Sequence, residues 1–407
     1  MPTTGTFPAF PAFPAFPAAA DAPAEALPGA EVRYGTVLLP DQLRPGQLPR
    51  PRGPLSAFVT DALRRPASSD LGPAPPPADD VLCGEDGALA LYCLYELHYR
   101  GFAGVDERWE WAPSLLTLRH RLEEELEDLV RREAETVPMP ACDPRAGDCI
   151  PAALRAVIAG PSGPSVSAYL AEQGSLEQFR EFAILRSPLQ LKEADPHSWA
   201  IPRLTGPAKA ALVEIQADEY GNGTARDVHQ NLFGVTMLGL GLDAGYGAYL
   251  DRVPGAALAS VNLASFFGLH RRLRGALVGH LAVFEMTSVE PMAAYGAALR
   301  RHGLPAGARH FFSVHVVADA HHQTLAAEAL AGNLVRGEPQ LGADVLLGAR
   351  AIMAVEGRWS ARVLAAWRDG RSALLPSAGP PDEAPPDEAP PDADRSDADQ
   401  SDDFPRE

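Results

Sequence analysis

The chain has 407 residues and a formal net charge of −18, from 53 acidic and 35 basic residues. No Lys/Arg cluster exceeds short runs such as Arg271-Arg272-Leu273-Arg274, which argues against a nucleic-acid footprint. No run of about 18 apolar residues occurs, so no membrane span is expected, and none of the four cysteines forms the C-x-x-C pair of a zinc ribbon.

Proline and charge divide the chain before any element is assigned. Residues 1–80 hold 17 of the 40 Pro and residues 376–407 hold 8, leaving 15 for the 295 residues between. The segment 376–407 repeats PPDEA and PPDA, and its eleven Asp/Glu against two Arg carry −9. It is too polar to bury a core and is expected to be disordered. The opening apolar stretch is broken by Pro, and the first basic residue is Arg33, unlike a signal peptide. Cys83, Cys93, Cys142 and Cys149 therefore read as free thiols in a cytoplasmic protein. The expected organisation is a disordered leader over 1–50, a helical region over 51–163, a larger helical domain over 164–375 and an acidic tail over 376–407.

Residues 7–18 are four tandem Phe-Pro-Ala units. Pro at every third position favours an extended, polyproline-like path, either a leader without chemistry or a Phe-bearing docking tag. The first helix is expected at Leu55–Arg65, followed by the loop LGPAPPPADD. Leu89–Arg100 has helical spacing. Its Glu96 and His98 stand two apart on different sides and read as structural hydrogen-bonders. Pro113–Glu135 is a charged helix with a solvated outer face. Short helices are expected over Pro151–Ala159 and Val166–Glu172. Ser175 and Gln178 form a capping-box pattern for a helix that runs towards Glu193, is interrupted by Pro188 and ends at Pro196.

The next helix spans Ala208–Tyr220 and is closed by Gly221-Asn222-Gly223. Another starts at Thr224 or Asp227 and reaches Leu240. Val261–Phe267 and Leu269–Ser288 are helical with a break at Gly268. Further helices follow from Pro291 to His302, over Phe311–Glu328 and over Ala343–Trp367. Strand-like alternation is nearly absent, so the folded part reads as all-α with some ten helices.

Four of these helices carry ionisable residues on faces that periodicity assigns to the core. In Phe311–Glu328, at about 100° per residue, His315, Asp319 and His322 fall at about 0°, 40° and −20°. His310 and His321 fall towards the opposite side. Burying that carboxylate needs a partner, either a metal ion or a hydrogen-bonded His–Asp–His cluster. On Ala208–Tyr220, Glu219 shares the stripe of Leu212 and Ile215, whereas Glu214 and Asp218 lie on the far side. His229 shares a face with Leu232 and Phe233. Glu285 is in line with Val278 and Leu281, and His280 points elsewhere. Glu219, His229, Glu285, His315, Asp319 and His322 together supply three carboxylates and three imidazoles, a ligand mix suited to two iron or manganese ions inside a bundle. The pair of Glu-x-x-His motifs found in ferritin-like proteins is missing.

On these residues the chain resembles the iron-containing redox enzyme family, the haem-oxygenase-like di-iron oxidases, over roughly Pro164–Arg368. His315-x3-Asp319-x2-His322 matches the motif of that family's last core helix. Glu285 falls at the bridging Glu, and Glu219 with His229 resembles the earlier pair. A further carboxylate of N-oxygenating members is matched by Glu193 in LQLKEADPHSW, with Asp195 or His197 as replacements. The resemblance implies a haem-oxygenase-like helical bundle holding two Fe(II) ions, with O2 as co-substrate. It implies oxidation of a small organic substrate, by amine N-oxygenation or oxidative C–C cleavage. Glu285 is expected to bridge the ions, with Glu219, His229 and His322 on one side and His315, Asp319 and Glu193 on the other. The expected partners are a small-molecule substrate, O2, an electron donor and a second copy of the chain in a homodimer, without nucleic acid or membrane. Phe266, Phe267, Phe284, Phe312 and Trp199 are candidate cavity residues. The competing readings are a haem or small-cofactor binder on the same bundle and a non-enzymatic helical scaffold.

Overall fold

The computed structural model describes residues 44–160 and 163–377. The Phe-Pro-Ala repeats and the acidic tail lie outside the described residues. Helices in chain order are α1 (Pro54–Leu63), α2 (Glu85–Glu96), α3 (Pro113–Glu135), α4 (Ile150–Ile158), α5 (Val166–Glu172), α6 (Leu176–Gln190), α7 (Asp195–Ser198), α8 (Gly206–Glu219), α9 (His229–Gly239), α10 (Gly255–Leu269), α11 (Arg274–Thr287), α12 (Val289–Arg301), α13 (Ala306–Thr324), α14 (Asn333–Gly337) and α15 (Gly342–Arg368). Among the described residues no β-strand is present, only one isolated bridge between Gly46 and Phe102. The fold is an all-α bundle.

Local chemistry sets the helix ends. Ser175 Oγ accepts from the Gln178 backbone N–H at 3.1 Å, and Gln178 Oε1 accepts from the Ser175 N–H at 2.9 Å. This reciprocal box satisfies donors that the first turn of α6 leaves open. The buried Asp86 accepts from the Leu55 and Ser56 backbone N–H groups and so fastens the start of α1 to α2. α10 is buried on every side, as its unbroken run of small and apolar residues requires. It packs against α2, α15, α11 and α6.

Several boundaries depart from expectation: α2 spans Glu85–Glu96 rather than Leu89–Arg100, and α10 starts at Gly255 rather than Val261. Pro196 opens α7 instead of ending α6, since a residue without an N–H is well placed in a first turn. The α10/α11 break falls at His270–Leu273 rather than Gly268. A Cβ on Gly268 would lie 2.6 Å from the Pro196 carbonyl, so that glycine serves close packing inside α10. α9 begins at His229, later than Thr224 or Asp227, because short 3-10 turns occupy Gly221–Gly223 and Ala225–Asp227.

The expected single helix over Phe311–Glu328 is also divided. α13 passes at Leu325 into a π-helical segment, Leu325–Gly332. Its wider turns shift the faces beyond Thr324 relative to a continuous α-helix, and π-segments often accompany functional sites.

A close backbone contact joins α11 to α15 at two glycines. A Cβ on Gly279 would lie 1.9 Å from the Val345 carbonyl oxygen, and one on Gly348 would lie 1.9 Å from that of Ala276. Gly279→Ala or Gly348→Ala must therefore push two backbones apart. Each is expected to destabilise the protein by about 1–3 kcal/mol, read as a lower midpoint in urea unfolding.

Candidate metal centre

α8, α9, α11, α13 and the turn after α6 bring the seven candidate ligands into one buried region. Glu219 is the last residue of α8 and His229 the first of α9. Glu285 comes from α11, and His315, Asp319 and His322 come from α13. Glu219, His229, Glu285, His315, Asp319 and His322 are each buried. Glu193 lies just beyond the end of α6, in the turn before α7.

Two groups of ligand atoms form, each with all atoms within 4.8 Å of one another. One is Glu193, Glu219, His229 and His315; the other is Glu219, Asp319 and His322. Glu285 joins the second through its Oε2, 3.1 Å from His322 Nδ1. Glu219 is the carboxylate common to both groups of ligand atoms. The ligand atoms of His229 lie with those of His315 and Glu193, and those of His322 with Asp319, whereas the expected grouping set His322 with Glu219 and His229, and set His315 and Glu193 with Asp319.

The hydrogen bonds leave five of the candidate coordinating atoms open. His315 Nδ1 lies 2.8 Å from the Phe311 carbonyl oxygen and donates to it, which turns Nε2 towards the cluster. Glu193 Oε2, Glu219 Oε2, His229 Nδ1, His315 Nε2 and Asp319 Oδ1 are all buried without a hydrogen-bond partner. His229 Nδ1 and Glu219 Oε2 are 2.8 Å apart and still not aligned as a hydrogen bond. Buried polar atoms are ordinarily satisfied, so five orphans converging on one space mark a site built for something else. Soft imidazoles with hard carboxylates suit a divalent first-row metal.

Charges within the cluster are mutually adjusted. Burial lowers the pKa of His315, but the carboxylates of Glu193, Glu219 and Asp319 outweigh it and push it up to about 10. The pKa of His322 is likewise raised against its burial, by Asp218, Asp319 and Glu285. Burial dominates at Glu285, whose pKa rises, whereas at Glu219 the imidazoles overcome burial and its pKa falls.

Glu193 is aimed by an over-determined turn. Ala194 has φ of 70°, a left-handed conformation that costs a non-glycine residue energy. Gln216 Nε2 donates to the Ala194 carbonyl at 2.9 Å, and Gln230 Nε2 donates to that of Glu193 at 2.8 Å. The neighbouring Lys192, fully buried, donates to Glu96 at 2.9 Å. Asp195 and His197 do not reach the cluster. Asp195 accepts from Tyr220 and Gln230, and His197 Nε2 lies 3.0 Å from His280 Nδ1.

Asp218 corrects the helical projection. Its Oδ2 lies 2.9 Å from His322 Nε2, although periodicity set it on the far side of α8. At the last turn the projection loses force, because His322 reaches across the helix end. The acid next to Glu219 in DEY was the available signal. His321 pairs instead with Glu214 at the surface, at 3.0 Å. Glu96 and His98 lie outside the cluster, with Glu96 bonded to Tyr246 and His98 facing Glu110.

A cavity of about 400 Å³ opens on Glu193, Glu219, Glu285, His315 and Asp319. Of the expected cavity residues, Phe284 and Phe312 line it; Phe266, Phe267 and Trp199 do not.

Residues 180–357 match the family model described as iron-containing redox enzyme. No curated protein gives a match to the chain. All seven candidate ligands lie inside the matched segment.

Asp218 holds the nitrogen of His322 that faces away from Glu285 and Asp319, so Asp218→Ala should loosen metal without removing a ligand. The expected cost is about 10–100-fold in metal affinity, measured by competition with a chromogenic chelator.

Proposed function

We propose, from the match of residues 180–357 to the family model described as iron-containing redox enzyme, that this chain is an oxidoreductase, a non-haem di-iron oxygenase or oxidase acting on a small organic substrate. The observation that carries this reading is the convergence of five orphaned ligand atoms, from Glu193, Glu219, His229, His315 and Asp319, on one buried space. Glu193, Glu219, His229 and His315 would hold one ion. Glu219, Asp319, His322 and Glu285 would hold the other. The four carboxylates of this set carry as much negative charge as two divalent cations carry positive, which accounts for their burial together.

Two ferrous ions would supply the electrons and vacant coordination positions through which O2 oxidises an amine nitrogen or a carbon next to a scissile C–C bond. The protein supplies the rest. His315 donates Nδ1–H to Phe311 and keeps Nε2 for the metal. In the metal-free chain Nε2 carries a proton, which the raised pKa of His315 retains at neutral pH. Metal entry must displace that proton, so loading weakens as pH falls. Phe284 and Phe312 contribute apolar wall to the cavity. A haem site needs one axial imidazole and would leave the remaining convergent carboxylates unexplained.

An anaerobic Fe(II) titration followed by metal analysis and exposure to O2 tests the proposal. The expected result is two irons per chain and a transient visible band after O2. A Soret band with added haem, or no bound iron, would overturn it. His315→Ala with Asp319→Ala should abolish iron binding and the O2 response while leaving the helical circular dichroism unchanged. Glu219→Ala should reduce loading more than Glu193→Ala, since Glu219 alone belongs to both groups of ligand atoms.

A further inference from the structure

Away from the metal residues, the wall of the same cavity carries a paired cation and anion, Arg186 from α6 and Glu356 from α15. Arg186 lies near the C-terminal end of α6 and Glu193 in the turn that follows it, so the ion pair and the metal residues line the same cavity. Between them the lining is largely apolar, including Phe182, Met292, Tyr295 and Ile352.

The pair is held rigidly. Each terminal nitrogen of the Arg186 guanidinium donates to one oxygen of Glu356. The guanidinium lies over the Trp359 ring, 3.9 Å from its centroid. Ser260 Oγ donates to Glu356 Oε1 at 2.7 Å. A guanidinium has five N–H donors, and Glu356 engages one from each terminal nitrogen, so the others have no protein partner among the described residues. Glu356 Oε2 accepts from Arg186 alone and retains an acceptor position. Open donors and an open acceptor thus sit side by side on a part-buried, cavity-facing surface.

That juxtaposition selects a ligand. A carboxylate fits the open guanidinium edge, and a planar Arg recognises it in two-point fashion. A lone carboxylate would, however, be set beside Glu356 with nothing to offset the repulsion. A lone amine would leave the Arg186 donors unmet. A molecule with both charges on adjacent atoms satisfies both residues. A mere strut between α6 and α15 is a weak explanation, since a buried ion pair adds little net stability over apolar packing and does not need open donors facing a cavity.

We propose that Arg186 and Glu356 form the head-group site of the substrate, a small α-amino acid whose carboxylate meets Arg186, whose ammonium meets Glu356 and whose side chain extends towards Glu285, His315 and Asp319. This names a substrate class for the oxidative reading above and rests on it. The side chain, rather than the α-carbon, is then the part brought to the metal residues.

The test is calorimetric titration of the full chain, iron-free and then iron-loaded under argon, with L-norleucine, hexanoate and pentylamine. L-Norleucine should bind at least tenfold more tightly than either singly charged probe. Glu356→Gln should bring L-norleucine down to the affinity of hexanoate, and Arg186→Lys should weaken it at least tenfold. Neither substitution should alter iron content. Equal binding of the three probes, no binding of L-norleucine, or unchanged L-norleucine affinity in Glu356→Gln would overturn the proposal. Glu356→Gln decides the matter if Arg186→Lys is unstable, because the glutamine can still accept from Ser260 and Arg186. The iron-free arm separates the two readings. Probe binding that survives in a chain unable to hold iron sinks the metal assignment and not the head-group site; iron loading without probe binding does the reverse.

Discussion

Everything at the centre of this bundle depends on keeping carboxylates out of water. Glu219, Glu285 and Asp319 are buried in a core built from Leu, Ala, Val and Phe. An isolated carboxylate in such a core would take up a proton rather than remain charged. They are tolerated because three imidazoles are buried with them, and in the metal-free chain protonated His315 and His322 provide the balancing charge. The same imidazoles can exchange protons for a cation. The cluster is therefore a balanced electrostatic unit, and removing one member leaves an uncompensated charge as well as a missing ligand.

Most of this was legible in the sequence because helices impose a strict period. His315, Asp319 and His322 fall on one stripe of a single helix, and the structure keeps them on one face of α13. Glu219, His229 and Glu285 were found in the same way, as polar residues where apolar ones were due. The projection failed where helices end. Asp218 is nominally on the far side of α8, but the last turn lets it reach His322. Glu193 had no helical address, because its direction comes from the strained Ala194 and from Gln216 and Gln230, which are distant in sequence. The distribution of ligands between the two groups was equally hidden, since it depends on how five separate elements cross. The π-segment after α13 has no signature in the residue types of Leu325–Gly332, which would suit an ordinary helix.

The cavity extends this division of labour. Its metal end is assembled from several elements and balanced by charge, whereas its other end is a single ion pair steadied by Trp359 and Ser260. Phe182 lines the space between and also belongs to an aromatic cluster, stacked on Tyr295 with centroids 4.4 Å apart. Under the proposals above, binding and reaction fall at opposite ends of one helix-lined space, and a ligand would be positioned by groups that take no part in the chemistry.

The glycine contacts between α11 and α15 bear on how such a cavity can change. Gly279 and Gly348 bring the two backbones together directly, so the spacing of these helices is set by main-chain contact and does not depend on the side chains that face the cavity. Glu285 and Val283 on α11, and Ile352, Met353 and Glu356 on α15, project into the cavity from a frame already fixed elsewhere. Residues such as Val283 and Met353 can then be exchanged for larger or smaller ones at modest risk to the frame. A lineage with this architecture can alter the size and shape of what it accepts by a few point mutations, while the ligand set, locked by charge, is inherited intact.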